Sequence, residues 1–191
     1  MPTPSAFATK LASIATDEFN KFHLINEGEQ ALCSQIKKWT QDIGFAFSSC
    51  TEVPWSAVFV SWCVQQAGAT ASEFKFAMAH SVFVNQAIKN ALNGVGVFRG
   101  RRITEHPPGV GDIIHENRGN HHFDFDFASK NDHFISHSVI VVDVKPDQGF
   151  ALCIGGNESD SVRRSKVFLD SQGLIKQRPG NPFICVIEDL K

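Results

Sequence analysis

The period of the apolar residues changes at Gly94, and that change constrains the fold more than any other feature of the chain. Before it, apolar side chains recur every three or four positions; after it, they come in short β-rich runs broken by Gly, Pro and Asp. The first period is that of an amphipathic helix and the second that of strands. ALCSQIKKWTQDI (31–43) places Leu32, Ile36, Trp39 and Ile43 on one helical face, and an earlier helix is expected over about 5–22. Pro54 suits the first turn of a third helix over 55–67 and Gly68 suits its end; a fourth is expected over 79–92. Strands are expected at 97–103, 111–116, 137–144, 149–156 and 183–190, with PDQG (146–149) as the turn of a hairpin. Helices followed by an antiparallel sheet predict an α+β domain.

A chain of 191 residues, 42% of them apolar, is long enough for one domain with a hydrophobic core. We expect a single domain over 1–191, with a helical part at 1–50 and a core at 51–191. Its net charge of −2 leaves no basic excess to neutralise phosphates, so nucleic acid is not an expected partner. No stretch reaches the ~18 apolar residues of a membrane span, and the N-terminal segment has no basic head before an apolar run. The chain is therefore expected to be made in the cytoplasm without a signal peptide.

The five cysteines, Cys33, Cys50, Cys63, Cys153 and Cys185, show no CxxC spacing, and their odd number cannot pair completely within one chain; they read mostly as buried thiols. With 17 Phe and no Tyr, acid–base chemistry falls to His, Asp, Glu or Lys. The segment 117–135 is too long for a tight connection and reads as a flap or mobile loop. Its Phe123-Asp124-Phe125-Asp126-Phe127 alternation would give an apolar and an acidic face if extended, or a hairpin tip with its phenylalanines tucked into the core. His115, Glu116, His121, His122, Asp124, Asp126, Asp132 and His133 invite a metal, but the spacing matches no ligand motif and adjacent histidines on an extended chain face opposite sides. No metal or other cofactor is expected.

Ser56 falls in the first turn of the third helix, where free N–H groups and the helix dipole favour a developing anion. A first-turn serine is also a common structural cap. Cys63 lies about 10 Å further along the axis, so the two cannot share one catalytic position. PWSAVFVSWCVQQAG (54–68), PPGVGDII (107–114), SHSVIVVDV (136–144) and IGGNESDSV (154–162) occur in the order and approximate spacing found in cell-wall amidases and peptidases of the NlpC/CHAP superfamily. The chain resembles a bacterial branch of uncharacterised domains in that superfamily whose motif reads PWSA in place of PWCA.

This resemblance implies a papain-like fold, with the family's cysteine falling on Ser56, its histidine on His137 and its third polar residue on Asn157. His80 in FAMAHSVFV matches a further histidine of that branch, either an acid–base partner or a helix-start residue. Trp55, Arg163 and Arg164 are the expected substrate-binding residues, the arginines either holding peptide carboxylates together with Lys166, Arg99, Arg101 and Arg102 or forming a solvated face. The implied activity is hydrolysis of a peptidoglycan amide bond with Ser56 as nucleophile and His137 as base. Two alternatives stay open: a catalytically silent domain that binds glycan-peptide or protein, and a serine acyl hydrolase or esterase. Because the substrate lies outside the cytoplasm, the enzymatic reading implies delivery by a non-classical route, as an antibacterial effector with a cognate immunity protein or as a holin-released lysin.

Overall fold

The computed structural model describes residues 3–191. Four helices come first: α1 (Ala6–Phe22), α2 (Gln30–Asp42), α3 (Ser56–Ala67) and α4 (His80–Asn93). β1 (Phe98–Arg101), β2 (Ile113–Asn117), the short helix α5 (Phe125–Lys130), β3 (Ser136–Lys145), β4 (Phe150–Glu158), β5 (Ser161–Phe168) and β6 (Phe183–Asp189) follow. The protein is α+β, and its six strands form one antiparallel sheet in the order β1-β6-β2-β3-β4-β5. None of its described helices is long and apolar enough to cross a membrane.

The helix ends have local causes. Ser5 caps α1 by accepting a hydrogen bond from the Ala8 N–H at 3.0 Å. Gly68 and Gly94 close α3 and α4 with φ of 115° and 67°, a left-handed conformation that glycine adopts without a Cβ clash. Pro54 lies just ahead of α3, not within its first turn.

α3 is the central element. Every residue from Ser56 to Val64 is buried, because α1 and α2 cover one side while β3 and β4 back the other. Trp39 of α2 sits fully buried with its ring centroid 5.4 Å from Phe59, 5.7 Å from Trp55 and 5.8 Å from Trp62. Removing such a ring from water contributes about 3 kcal/mol, so this cluster pins the start of α3.

The sheet is covered on both faces. Ile113, Ile140, Ile154 and Ile187 join the helices' core, while Ile114, Val139, Val141, Cys153, Phe183 and Val186 form a second core with Leu169 and Ile175 from the β5–β6 connection. Double coverage explains why 139–142 is continuously apolar and not alternating. PDQG forms the turn between β3 and β4, with a short 3-10 segment at Pro146–Gln148.

Three further departures from the sequence-based expectations concern the cysteines, the 123–127 segment and β5. Cys33 and Cys50 form a disulfide, with Cα atoms 5.3 Å apart, and only Cys63, Cys153 and Cys185 are free buried thiols. Two of the five cysteines pair, which the odd total allows. The Phe123–Phe127 alternation is not an extended strand: Asp124 accepts from the Phe127 N–H at 2.8 Å and caps α5, stacking Phe123 on Phe127 at helical spacing. β5 was not expected as a strand, because its Arg163, Arg164 and Lys166 break the apolar pattern; as the outermost strand it carries charges that discourage pairing with another sheet.

Candidate active site

Five elements converge at one end of the sheet: the starts of α3 and α4 and the adjoining ends of β2, β3 and β4. Ser56 opens α3 and His80 opens α4, and their side chains meet, with Ser56 Oγ 2.8 Å from His80 Nε2. The expected partner of Ser56 was His137. Its Nε2 instead lies 3.1 Å from Glu158 Oε1, because His137 shares the face of β3 occupied by Val139 and Val141, turned from the helices. Its ring still reaches the dyad at the strand's end, with its centroid 5.2 Å from that of His80. A third imidazole, that of His115 on β2, bonds through Nδ1 to Ser138 Oγ at 2.8 Å and lies 6.4 Å from His80.

Burial dominates the electrostatics. Ser56 is 2% exposed, and His80, His115 and His137 are all buried. Desolvation, followed by the charges of His137, His115 and Arg118, holds His80 well below the usual imidazole range. His80 is therefore neutral at pH 7, and one of its ring nitrogens carries a free lone pair. Desolvation, with the charge of His137 second, lowers His115 to about 3. Each histidine has one buried ring nitrogen without a hydrogen-bond partner: Nδ1 of His80, Nε2 of His115 and Nδ1 of His137. An unpaired buried polar atom of this kind costs stability.

The depressed value of His115 has a consequence for stability. Unfolded, this histidine titrates near 6.5, so below that pH the unfolded chain takes up a proton that the folded chain refuses until about 3. Stability from this residue is full above pH 6.5 and falls with acidification, by about 1.4 kcal/mol per pH unit within the window. Between pH 6.5 and 5 we expect the protein to lose about 2 kcal/mol more unfolding free energy than His115→Gln, measured by urea titration. Parallel pH profiles for the two proteins would contradict the burial argument.

Two glycines let these parts approach. A Cβ on Gly156 would fall 2.6 Å from Phe59 Cβ and 2.7 Å from the Trp55 ring, and one on Gly155 would fall 2.9 Å from Val139 and 3.1 Å from His137 Nε2. β4 thus passes between α3 and the His137–Glu158 pair only because both positions lack side chains. The β4–β5 register shifts just beyond, between Gly155 and Glu158, and Asn157 takes φ of 55°.

The remaining expected site residues are placed elsewhere or act differently. Among the described contacts, Asn157 meets the site through its backbone, its carbonyl accepting from Arg118 Nη2 at 2.9 Å, and the carboxylate that holds His137 belongs to the next residue, Glu158. Trp55 is fully buried and donates from Nε1 to Glu27 Oε2 at 2.6 Å, which makes it a structural anchor with no surface for substrate. Arg163 donates to the His23 carbonyl and Arg164 lies over the Phe19 ring, both against α1 and its end. Of the other basic residues, Arg99 bonds carbonyls of the α4–β1 turn, Arg101 pairs with Glu188 and Arg102 with Asp126. Among the described residues, no group of three His, Cys, Asp or Glu side chains is arranged to hold a metal ion.

Glu158 and Arg118 were missed by sequence reading. Glu158 had a signal, since it is the carboxylate beside the expected polar position in IGGNESD. Arg118 had none, because only the packing of the 117–135 segment brings it to Asn157.

No curated protein and no solved structure matches this chain. A family model described as "Uncharacterized protein conserved in bacteria (DUF2272)" matches residues 17–185, most of the chain, and the protein therefore belongs to that family.

Proposed function

We propose that this protein is a hydrolase on a papain-like scaffold in which Ser56 attacks an amide carbonyl of the peptidoglycan peptide and His80 takes its proton. The observation that carries the proposal is the 2.8 Å contact between Ser56 Oγ and a neutral His80 Nε2 at the opening of a helix. With its proton on Nδ1, His80 accepts the hydroxyl proton at Nε2 as the Oγ–carbon bond forms. N–H groups of the first turn of α3 would face the developing oxyanion. His80 then returns the proton to the departing amine, and water hydrolyses the acyl-serine. The cell-wall substrate rests on the ordered motif resemblance.

The Cys33–Cys50 disulfide supports action in an oxidising compartment, outside the cytoplasm. Delivery as an antibacterial effector, with a cognate immunity protein as partner, is the form of export this reading favours.

The test is release of soluble muropeptides from purified sacculi. The unaltered protein should release them and Ser56→Ala should be slower by about 10³-fold or more. Equal release by both would remove Ser56 from the mechanism. One observation favours a second reading, a silent binding domain: at 2% exposure Ser56 needs side-chain movement before substrate arrives. Sacculus binding by the unaltered protein with no release would support that reading.

A further inference from the structure

We infer that the cavity beside His137 is a carboxylate-binding subsite anchored by Arg118. The inference deepens the hydrolase reading and rests on it only for placing that carboxylate next to the bond to be cut. The cavity measures about 240 Å³ and its wall includes Glu116, Arg118, His137, Glu158, Lys166 and Arg178. His137 is the shared wall: it lines the cavity and its ring meets that of His80. A ligand there lies one imidazole away from the Ser56–His80 pair.

The charges in the wall are unevenly committed. Arg178 pairs with Glu116 at 2.6 Å and His137 with Glu158 at 3.1 Å, so both carboxylates are engaged. Arg118, half-buried, donates one Nη2 bond to the Asn157 carbonyl, and among the described residues no carboxylate lies within ion-pair distance of it. A guanidinium has five N–H donors in a planar fork, so most of its capacity is unspent. Lys166 likewise has no acid partner among the described residues; its Nζ lies 4.1 Å from the centroid of the Phe150 ring. Apart from His137, the three cations Arg118, Lys166 and Arg178 and the two carboxylates leave one formal positive charge.

That balance selects the ligand. A monoanion neutralises the excess, whereas a dianion such as a phosphate would be repelled by Glu116 and Glu158 at close range. The planar fork matches a carboxylate in two-point geometry. The volume suits a group the size of one small residue, so the ligand class is a peptide ending in, or branching to, a free carboxylate on a short side chain. Arg118 also contributes, after burial, His137 and His115, to keeping His80 neutral, which places its charge within electrostatic reach of the dyad.

The test uses two probes of equal size, N-acetylalanine and N-acetylalaninamide, titrated at pH 7 into the full chain by calorimetry. The acid should bind about tenfold or more tightly than the amide at low salt, and the preference should shrink as salt rises. Arg118→Gln should abolish the preference, and Arg118→Lys should retain part of it. Equal binding of the two probes, binding of neither, or a preference that survives in Arg118→Gln would overturn the inference. Binding needs no turnover: a protein that discriminates the probes but leaves sacculi intact keeps the subsite and loses the hydrolase, and one that cleaves sacculi without discriminating loses the subsite alone.

Discussion

His80→Gln should lower kcat/KM on sacculi by about 10³-fold, while His137→Gln should cost only about tenfold. The asymmetry follows from which imidazole touches the nucleophile. Ser56 Oγ lies 2.8 Å from His80 Nε2, whereas His137 directs its Nε2 to Glu158. A serine hydroxyl must lose its proton during attack, so the group that receives it contributes most of the acid–base effect. Glutamine at position 80 can bond the hydroxyl but cannot carry the proton. At position 137 the ring separates the cavity from the dyad, and its loss alters positioning and access. The two effects should also split differently, with the change at 80 falling on kcat and that at 137 largely on KM. Equal losses in kcat at both positions would return His137 to the role of base that the motif order implies. Thermal midpoints of both variants separate these outcomes from unfolding.

Reducing the Cys33–Cys50 disulfide, or replacing it by Cys33→Ser with Cys50→Ser, should cost about 3 kcal/mol of unfolding free energy. The bond closes a loop across 17 positions of sequence between the first turn of α2 and the segment leading into α3. Opening it returns loop entropy to the unfolded chain, and for a domain of this length the loss corresponds to a fall of about 6–12 °C in the thermal midpoint. Turnover should fall as well, because this segment leads to Ser56 and lies outside the helices. Calorimetry with and without reductant measures the first effect. An unchanged midpoint would mean that the Trp39 cluster alone fixes the start of α3.

Much of the fold is legible in single stretches of the chain. The three-and-four spacing of Leu32, Ile36 and Trp39 marks α2, Gly68 and Gly94 mark helix ends, and PDQG marks the β3–β4 turn. Each of these signals acts within a few residues, through backbone conformation or a local hydrogen bond. β5 was illegible for a related reason: an outer strand with charged outward positions lacks the apolar period that reveals inner strands. α5 was misread because Phe and Asp alternate in sequence while a capping contact from Asp124 decides the helix.

By itself, the sequence determined that helices precede an antiparallel sheet and that a serine falls in the first turn of the third helix. Only the tertiary structure decided which histidine Ser56 meets. Positions 56 and 80 belong to separate helices whose starts are brought together by packing on the sheet, and no local rule links them. The same holds for Glu158 in place of Asn157, where a register shift after Gly155 chooses between adjacent side chains, and for Cys33 with Cys50 among five cysteines. Local conformation is written in neighbouring residues, whereas pairing across the fold depends on distances that exist only once the two cores have closed.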